Sequence, residues 1–337
     1  MKYRTLGATG ITVSEMTLGT MMLGAMGNTD HEDSIRIIHK ALDAGINVID
    51  TADVYSMGES EVILGKALKG RRDNVVLATK FGLPMGQDAN QKGASARWIK
   101  RAVEDSLRRL DTDYIDLYQL HRPDYNTDIH ETLSALSDLI REGKVRAIGS
   151  STFPAEWIVE AQWAAQRGNH HRFLTEQPRY SIFTRKLEGA VLPTAQRYGM
   201  GVLTYGPLNG GWLSGRADSG QSHRAAARPS LYDTANPALR PKVEALIKLR
   251  ELVDEAGISL PHLALAFVKA HPAISSVIIG PRTMEQLEGL LAGADVELDH
   301  EILDRIDEIV PPGTDLNPAD NYADNHPALE NKKLRRR

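Results

Sequence analysis

The sequence predicts a (β/α)8 barrel, or TIM barrel, on two observations. First, eight short apolar runs each lead into a longer amphipathic stretch, which is the pattern of repeated βα units around a parallel sheet. Second, no linker-like change of composition divides the 337 residues, so we expect one domain over residues 1–337, with a polar tail over residues 311–337. The predicted strands, in chain order, are Glu15–Gly19, Asn47–Asp50, Val75–Thr79, Ile115–Leu120, Val145–Gly149, Phe173–Gln177, Gly201–Thr204 and Val277–Ile279.

The stretches that follow the runs have the apolar spacing and the capping residues of helices. Ile35 and Ile38 fall on one face of a helix that Asp30 is placed to cap. Thr283, with Gln286 three residues later, matches a capping-box pattern. This pattern predicts that the last barrel helix begins directly after the eighth strand.

Three segments lie outside the βα units. Residues 2–13, with Gly7 and Gly10 between short alternating segments, predict a β-hairpin that covers the bottom of the barrel. Residues 205–236, after the seventh strand, are rich in Gly, Ser, Asn and Pro, and a connection of that length is usually functional or disordered. Residues 332–337 are basic and could bind an anion, although a solvated terminus is the more common explanation.

The composition is that of a globular chain and excludes several functions. The 44 acidic and 40 basic side chains leave a net charge of −4, which argues against a nucleic-acid partner because polyanion binding needs clustered Lys and Arg. The sequence contains no cysteine, which excludes disulfides, thiolate catalysis and zinc sites with cysteine ligands. It has no apolar signal segment and no stretch of the roughly 18 apolar residues that span a membrane, so we expect a cytoplasmic protein with no membrane partner.

Titratable side chains stand where three consecutive predicted strands end. Asp50 closes the second strand and Tyr55 lies in the loop behind it, while Lys80 follows the third strand and His121 the fourth. The carboxyl ends of the strands form the active-site mouth of a (β/α)8 barrel. Each of these residues alone has an ordinary structural explanation, but four together are costly to bury unless they pair. The pattern therefore favours one catalytic cluster.

Such a cluster can deliver a proton to a carbonyl oxygen. A phenol is a poor acid at neutral pH because its ordinary pKa is about 10. A lysine ammonium beside Tyr55 would lower that pKa by stabilising the phenolate, and a carboxylate paired with the lysine would keep the ammonium charged. Lys80 and Asp50 suit these two supporting roles. His121 could orient the substrate carbonyl beside the phenol hydroxyl.

Longer motifs surround these strand ends and cover the chain from about residue 3 to residue 310. They are Gly19-Thr20, Asn47 to Tyr55, Thr79-Lys80, Gln119-Leu120-His121, Gly143 to Ser151, Gln177-Pro178, Tyr205 to Leu208 and Ile279 to Arg282. Together these motifs resemble those of the aldo-keto reductases. The resemblance implies a (β/α)8 barrel that binds NADP(H) and transfers a hydride to a small-molecule aldehyde or ketone.

The resemblance also implies a role for each matching residue. Tyr55 would be the general acid, with Asp50 and Lys80 as its tuning pair, and His121 would orient the carbonyl. The nicotinamide ring would stack on Tyr205. Ser151 and Gln177 would contact the carboxamide, the loop after Tyr205 would pack along the pyrophosphate, and Arg282 and Gln286 would contact the 2′-phosphate. The full implied cofactor-binding set is Gly19, Thr20, Met21, Asp50, Ser151, Thr152, Gln177, Tyr205, Gly206, Pro207, Leu208, Gly210, Gly280, Arg282 and Gln286.

The sequence departs from the family pattern at three positions. Thr152 stands where the family commonly has an asparagine beside the serine, so a hydroxyl replaces an amide. Gly289 and Leu290 stand where many members place acidic and amide side chains near the adenine. We therefore expect fewer adenine contacts and weaker cofactor binding. Arg282 favours NADPH over NADH.

Three other functions are alternatives to carbonyl reduction for a chain with this pattern. A Rossmann dehydrogenase is disfavoured because the nearest glycine motif, Gly199-Met200-Gly201, lacks the third glycine. A metal-dependent barrel enzyme is disfavoured because His121 is the only histidine at a predicted strand end, and we expect no metal. A regulatory subunit that binds NADPH, similar to the potassium-channel β-subunits, stays open because those proteins keep the same four side chains. Turnover of a simple aldehyde separates this alternative from an enzyme.

The substrate is less well defined by the sequence. Large apolar side chains beside the matched motifs favour an adaptable apolar mouth, although ordinary packing at the rim would also explain them. The sequence does not decide whether the protein forms a homo-oligomer. The apolar side chains are Met21, Met22, Met57, Phe81 and Trp212.

Overall fold

The computed structural model describes residues 1–215, 229–321, 329 and 332–336. Residues 216–228, in the connection predicted after the seventh strand, lie outside this set. So do residues 322–328, 330, 331 and 337 of the predicted tail. The prediction of an anion-binding basic end over residues 332–337 therefore falls partly outside the described residues.

The architecture is a closed barrel of eight parallel strands, preceded by a separate two-stranded antiparallel sheet. The predicted (β/α)8 barrel with an N-terminal hairpin is confirmed. Closure joins the first barrel strand to the last, with Met16 opposite Val277 and Leu18 opposite Ile279. The strands are β1 (Tyr3–Thr5) and β2 (Thr12–Ser14) in the small sheet, followed in the barrel by β3 (Met16–Gly19), β4 (Val48–Asp50), β5 (Val76–Phe81), β6 (Ile115–Leu120), β7 (Val145–Ser151), β8 (Thr175–Gln177), β9 (Gly201–Thr204) and β10 (Ser276–Ile279).

Three barrel strands differ from the predicted bounds by two residues at one end, and β3, β4 and β10 begin one residue away from the predicted start. Strand β5 continues to Phe81, β7 continues to Ser151, and β8 begins at Thr175. The predicted bounds marked where apolar residues stop, but backbone pairing continues through the polar residues, so that Lys80 pairs with Gln119. Lys80 and Ser151 are therefore carried on paired strands, which hold them more firmly than loops would.

Ten α-helices lie among the described residues and surround the barrel. The predicted caps are confirmed: the Asp30 side chain accepts a hydrogen bond from the Asp33 N–H, and the Thr283 side chain accepts one from the Gln286 N–H. The helices are α1 (His31–Asp43), α2 (Glu59–Leu68), α3 (Ala96–Leu110), α4 (Ile129–Arg141), α5 (Ala155–Gly168), α6 (Val191–Arg197), α7 (Arg240–Ala256), α8 (Leu260–Ala270), α9 (Met284–Leu291) and α10 (His300–Ile309).

Two helices are additional to the eight βα units. Both α7 and α8 lie between β9 and β10, and α10 follows α9 and packs against α7. The prediction placed one helix after each apolar run. It therefore missed α7 and α10, which do not alternate with strands. In the described part of the chain, no helix is both long and apolar enough to cross a bilayer.

The hairpin of β1 and β2 closes the N-terminal end of the barrel, as predicted. Leu6 and Val13 are fully buried and pack with side chains from the barrel interior, including Val48 and Leu117. Gly7 has φ +53°, and a Cβ atom at this position would lie 2.2 Å from the Gly201 nitrogen. Glycine is therefore required where the hairpin meets β9. A larger apolar core fills the space between the barrel and the helices.

Candidate active site

The structure brings Asp50, Tyr55, Lys80 and His121 together at the carboxyl end of the barrel. Asp50 is the last residue of β4, Lys80 lies in β5, and His121 directly follows β6. Tyr55 begins a short 3-10 turn between β4 and α2. Three neighbouring strands and one loop therefore supply the four side chains, as the strand ends predicted.

Lys80 is the centre of this cluster. Its side chain is fully buried, and its Nζ atom lies 2.5 Å from Asp50 Oδ2. The same ammonium donates to the Thr51 carbonyl at 2.8 Å and to the Tyr55 hydroxyl oxygen at 3.4 Å. An ammonium has three N–H donors, and these three acceptors use all of them. Lys80 is therefore fixed in direction, with one N–H directed at the phenol.

Asp50 is held from its other side by two amides. Its Oδ1 atom accepts hydrogen bonds from Gln177 Nε2 at 2.8 Å and from Gln119 Nε2 at 3.4 Å. Gln177 was predicted as a cofactor residue, whereas the part of Gln119 in the cluster was not predicted. Because side chains alternate along a strand, Gln119 shares a face with His121, and this spacing could have identified it.

Burial decides the ionisation of Tyr55. It raises the pKa of Tyr55 above its usual value of 10.0, while the Lys80 ammonium acts in the opposite direction with a smaller effect. The lysine therefore favours the phenolate, as the sequence argument expects, but the net shift is upward. Burial lowers the pKa of Lys80, but the Asp50 carboxylate and Tyr55 together raise it by more than burial lowers it. The net change in the pKa of Lys80 is therefore upward. At neutral pH the phenol is protonated and the ammonium is charged.

His121 lies edge-on to Tyr55, with the ring centroids 5.8 Å apart. Burial holds the pKa of His121 well below its usual value of 6.5, and the positive charges of Lys80 and Arg122 add to this shift. The imidazole is therefore neutral and carries one N–H donor. Its buried Nδ1 atom has no hydrogen-bond partner among the described residues.

The residues predicted to hold the nicotinamide carboxamide are adjacent at the ends of β7 and β8. The Ser151 hydroxyl donates to the Gln177 carbonyl at 2.9 Å, and the Thr152 N–H donates to the same carbonyl at 3.2 Å. The Thr152 hydroxyl lies 3.4 Å from the Tyr205 hydroxyl and accepts a hydrogen bond from Arg122 Nη1 at 2.8 Å. The Thr152 hydroxyl therefore links Arg122 to the tyrosine predicted to stack on the nicotinamide.

The predicted pyrophosphate loop follows Tyr205, and Asn209 anchors it. Gly206 and Gly210 have positive φ angles of 73° and 72°. Asn209 is buried, and its Oδ1 atom accepts a hydrogen bond at 2.8 Å from the buried Lys242 of α7. Its Nδ2 atom donates to two hydroxyls in the segment after β8. The remaining predicted residues of this loop are Pro207, which is buried, and Leu208, which is half-buried.

A segment of the tail, residues 311–321, lies across the chain after β8, and we call it the C-terminal strap. The Arg185 N–H donates to the Thr314 carbonyl at 2.9 Å, which fixes the start of the strap. At its end, the Asp320 carboxylate forms ion pairs with Arg179 and with Lys242. The strap therefore reaches the lysine that holds the predicted pyrophosphate loop. Sequence reasoning missed Lys242 and Asp320.

The residues predicted to contact the 2′-phosphate lie at the start of α9. The Arg282 N–H donates to Gln286 Oε1 at 2.8 Å, and the Arg282 carbonyl accepts from Asn28 Nδ2 at 3.1 Å. The other predicted residues on this side lie at the ends of β3 and β10, where the Thr20 hydroxyl donates to the Asp50 carbonyl at 3.3 Å. They are Gly19, Thr20, Met21 and Gly280.

Some residues play a different part from the one their sequence position suggested. Leu290 is buried in the core, so its apolar character has a packing reason, whereas Gly289 is exposed. Phe81 and Trp212 are also buried in the core, so ordinary packing accounts for these two rings. Met57 is 61% exposed, and Met21 and Met22 are half-buried.

A second buried polar cluster lies under the Tyr55 loop and was not predicted. Glu61 is fully buried and pairs with Arg109 at 2.7 Å. Asp53 is 1% exposed, and neither of its carboxylate oxygens has a hydrogen-bond partner in the described part of the chain. Burial raises the pKa of Asp53 well above its usual range, and the negative charge of Glu61 raises it further.

Comparison with known proteins identifies the family. Residues 15–311 match the aldo/keto reductase family. The chain is 40% identical over 324 residues to the uncharacterized oxidoreductase YrpG of Bacillus subtilis (strain 168), covering 92% of this chain and 96% of that protein. It is 35% identical over 321 residues to a probable voltage-gated potassium channel subunit beta of Oryza sativa subsp. japonica, covering 92% and 97% of the two chains. It is 38% identical over 296 residues to the aldo-keto reductase YhdN of Bacillus subtilis (strain 168), covering 86% and 88%. The chain therefore belongs to the aldo/keto reductase family of oxidoreductases.

Proposed function

We propose that the protein reduces an aldehyde or a ketone to the alcohol with NADPH, and that Tyr55 is the general acid. The observation that carries this proposal is the position of Lys80. Its ammonium lies 3.4 Å from the hydroxyl oxygen of the half-buried Tyr55 and 2.5 Å from the Asp50 carboxylate, and both Lys80 and Asp50 are buried. This arrangement stabilises the phenolate that forms when Tyr55 gives up its proton.

The donor set near the mouth fits a nicotinamide dinucleotide phosphate. Ser151, Thr152 and Gln177 offer hydroxyl and amide groups to a carboxamide, and the Tyr205 ring is half-buried beside them. Arg282 precedes the N-terminus of α9, where a cation and the helix dipole both favour a phosphate. When bound, the reduced cofactor supplies the hydride to the carbonyl carbon.

The chain's own groups handle the proton. Neutral His121 donates its N–H to the carbonyl oxygen and places that oxygen next to the phenol. As negative charge develops on the oxygen, Tyr55 transfers the proton of its hydroxyl to it. Lys80 stabilises the resulting phenolate, and Asp50 keeps the lysine charged and in position. Because burial keeps the pKa of Tyr55 above 10.0, the acid is in its protonated form at neutral pH.

The test is consumption of NADPH with a panel of aldehydes, ketones and keto-sugars, comparing wild type with Tyr55→Phe. Losing a general acid reduces kcat by roughly 10² or more, so we expect this loss with NADPH binding nearly unchanged. Tyr3→Phe removes a hydroxyl at the exposed N-terminal hairpin and serves as the control. Near wild-type kcat in Tyr55→Phe would reject Tyr55 as the acid.

A second candidate function is a regulatory subunit that binds NADPH with little turnover. Its support is the 35% identity to the probable potassium channel subunit beta, which extends over 97% of that protein. The same panel separates the two functions. Saturable NADPH binding without oxidation of NADPH by any carbonyl in the panel would favour the subunit, whereas turnover that depends on Tyr55 favours the enzyme.

A further inference from the structure

The turn between β7 and α5 carries Ser151 and Thr152, and its backbone is strained. Thr152 has φ +59°, in the left-handed region. This region is a genuine outlier for a β-branched residue, and a residue stays there only when neighbouring groups hold it in place. The predicted carboxamide site therefore keeps its shape only if other contacts hold this turn.

Glu176 of β8 supplies two of these contacts. Its Oε2 atom accepts a hydrogen bond from the Ser150 hydroxyl at 2.5 Å, and its Oε1 atom accepts one from the Phe153 N–H at 3.0 Å. The two donors lie on either side of Ser151 and Thr152. One carboxyl group therefore holds both ends of the strained turn, while the Gln177 carbonyl holds its centre.

Glu176 is fully buried, and among the described residues it forms no ion pair within 4.0 Å. The charged group that faces it is Arg122, which reaches the same turn through the Thr152 hydroxyl. A buried carboxylate without a direct ion partner relies on hydrogen-bond donors to stay ionised. Burial raises the pKa of Glu176 to about 7, although the Ser150 hydroxyl and the backbone N–H groups act against this shift.

We propose that Glu176 is a positioning residue for the nicotinamide end of the cofactor, and that its carboxylate form holds the Ser151–Thr152 turn in the shape that receives the carboxamide. This inference rests on the proposed function, because it assumes that NADP(H) binds beside this turn. Glu176 acts through the backbone of the turn and does not itself touch the cofactor.

The proposal has a specific pH dependence. A carboxylate accepts at both oxygens, whereas a protonated carboxyl keeps both contacts only if its own O–H donates to the Ser150 hydroxyl. The Ser150 proton must then turn to the Thr175 carbonyl, which lies 3.4 Å away, so the turn is held by weaker hydrogen bonds. Cofactor affinity therefore falls as the pH drops through about 7. By reciprocity, cofactor binding favours the ionised form and releases a fraction of a proton to the buffer.

The experiment measures the Kd of NADH and of NADPH at about pH 6 and about pH 8 for wild type and Glu176→Gln. NADH is included because it lacks the 2′-phosphate, which titrates in the same range as a phosphate monoester. We expect wild type to bind both cofactors roughly fivefold more weakly at the lower pH, because one unit of pKa change on binding corresponds to a tenfold limit. Glu176→Gln should bind about fivefold more weakly than wild type at the higher pH and lose most of the pH dependence with NADH.

The control variant is Glu156→Gln, which makes the same change at an exposed position of α5 and should leave both Kd values unchanged. Equal Kd values for wild type and Glu176→Gln at both pH values would overturn the proposal. If wild type bound neither cofactor, the proposed function itself would fail, so the two failures are distinguishable.

A second measurement covers the case in which Glu176→Gln does not fold. Calorimetric titration of wild type with NADH near neutral pH, in two buffers of different ionisation enthalpy, gives the number of protons exchanged on binding. Release of a fraction of a proton supports the proposal, and no exchange contradicts it.

Discussion

The ammonium of Lys80 contacts three acceptors, and each contact has a different effect. Asp50 balances its charge, the Thr51 carbonyl fixes its direction, and Tyr55 receives the electrostatic effect. Removing the ammonium therefore changes both the acidity of Tyr55 and the stability of the buried pair. These two consequences can be measured separately.

For Lys80→Met we expect kcat/KM for reduction to fall by roughly 10² or more, because the phenolate loses its counter-charge. The pKa of Tyr55 should rise further, which moves the basic limb of alcohol oxidation to higher pH. Leaving Asp50 buried without its partner should also destabilise the fold by about 3–5 kcal/mol. The measurements are the pH profile of oxidation and the free energy of unfolding.

The double variant Lys80→Met/Asp50→Asn separates the two effects. It removes both charges, so the free energy of unfolding should recover much of the loss while kcat/KM stays low. Recovery of activity together with stability would mean that Lys80 is structural. An unchanged oxidation profile in folded, active Lys80→Met would also exclude the tuning role.

The raised pKa of Asp53 predicts that the free energy of unfolding depends on pH. Because the pKa of Asp53 is raised in the folded protein, its ionisation opposes folding. The contribution of Asp53 to the free energy of unfolding is fully present below the ordinary pKa of an aspartate. Above that pKa it is lost at about 1.4 kcal/mol per pH unit until the pH passes the raised folded value. Asp53→Asn removes this titration, so it should be more stable than wild type at neutral pH, with an advantage that shrinks as the pH is lowered.

Chemical denaturation at several pH values checks this expectation. Asp73→Asn makes the same change at an exposed position and controls for the loss of one negative charge. A stability difference between Asp53→Asn and wild type that stayed constant over the whole range would show that Asp53 does not titrate as described.

Among the elements, α9 and Arg282, which precedes its cap, bear on the proposed preference for NADPH over NADH. Thr283 caps the helix, and Gln286 and Asn28 hold the backbone of Arg282 from both sides. The direction of the Arg282 backbone is therefore set before any phosphate binds. This leaves the side chain as the variable part of the site.

Arg282→Ala should weaken NADPH binding by about 1.5–3 kcal/mol, the usual range for a charged hydrogen-bond partner, and leave NADH binding nearly unchanged. Titration of both cofactors measures the difference. Arg101→Ala removes an exposed arginine of α3 that is paired with Asp105 of the same helix, and it should affect neither cofactor. Equal losses for NADPH and NADH would assign Arg282 a structural role.

The sequence predicts those features that are determined by residues close together in the chain. Thr283 and Asp30 cap their helices as predicted because a cap is decided within three residues. Lys80 and His121 could be found because parallel strands bring their carboxyl ends to one mouth. The end of β5 was placed too early because backbone pairing with β6, and not the apolar pattern, decides where the strand ends.

Contacts between distant segments could not be predicted in this way. Asp320 pairs with Lys242, and Glu61 pairs with Arg109, across helices and loops whose relative positions no local pattern records. The hydrogen bonds of Glu176 to residues 150 and 153 belong to the same class. A charged residue in an otherwise apolar segment can indicate such a pair, but it does not identify the partner, and Asp320 lies in a polar segment that gives no such signal.

At the scale of the whole molecule, the C-terminal strap connects the end of the chain to the predicted cofactor loop. Asp320 pairs with Lys242, and Lys242 holds Asn209 of that loop. Burial lowers the pKa of Lys242, and the Asp320 carboxylate opposes this shift. Asp320 therefore helps to keep a buried lysine charged where the loop needs a donor.

Asp320→Asn should weaken NADPH binding several-fold and speed its dissociation, because Lys242 loses the carboxylate that fixes it. The rate of hydride transfer in a single turnover at saturating NADPH should stay within about twofold of wild type, since the strap does not reach Tyr55. Stopped-flow measurement of cofactor release and of single turnover checks both expectations. Asp304→Asn on the exposed face of α10 is the control. Unchanged release in Asp320→Asn would show that the strap does not restrain the loop.

The pairing of β3 with β10 has a consequence for biosynthesis. β3 is the first barrel strand to leave the ribosome and its partner β10 is the last, so the two cannot pair until every strand of the barrel has been made. Until then the nascent sheet is open, and its outer strands present unpaired N–H and C=O groups that other chains can join. Arrival of residues 276–279 removes both edges at once, so the finished barrel offers no strand for such pairing. The period of greatest risk of aggregation therefore falls during translation and ends when the last barrel strand emerges.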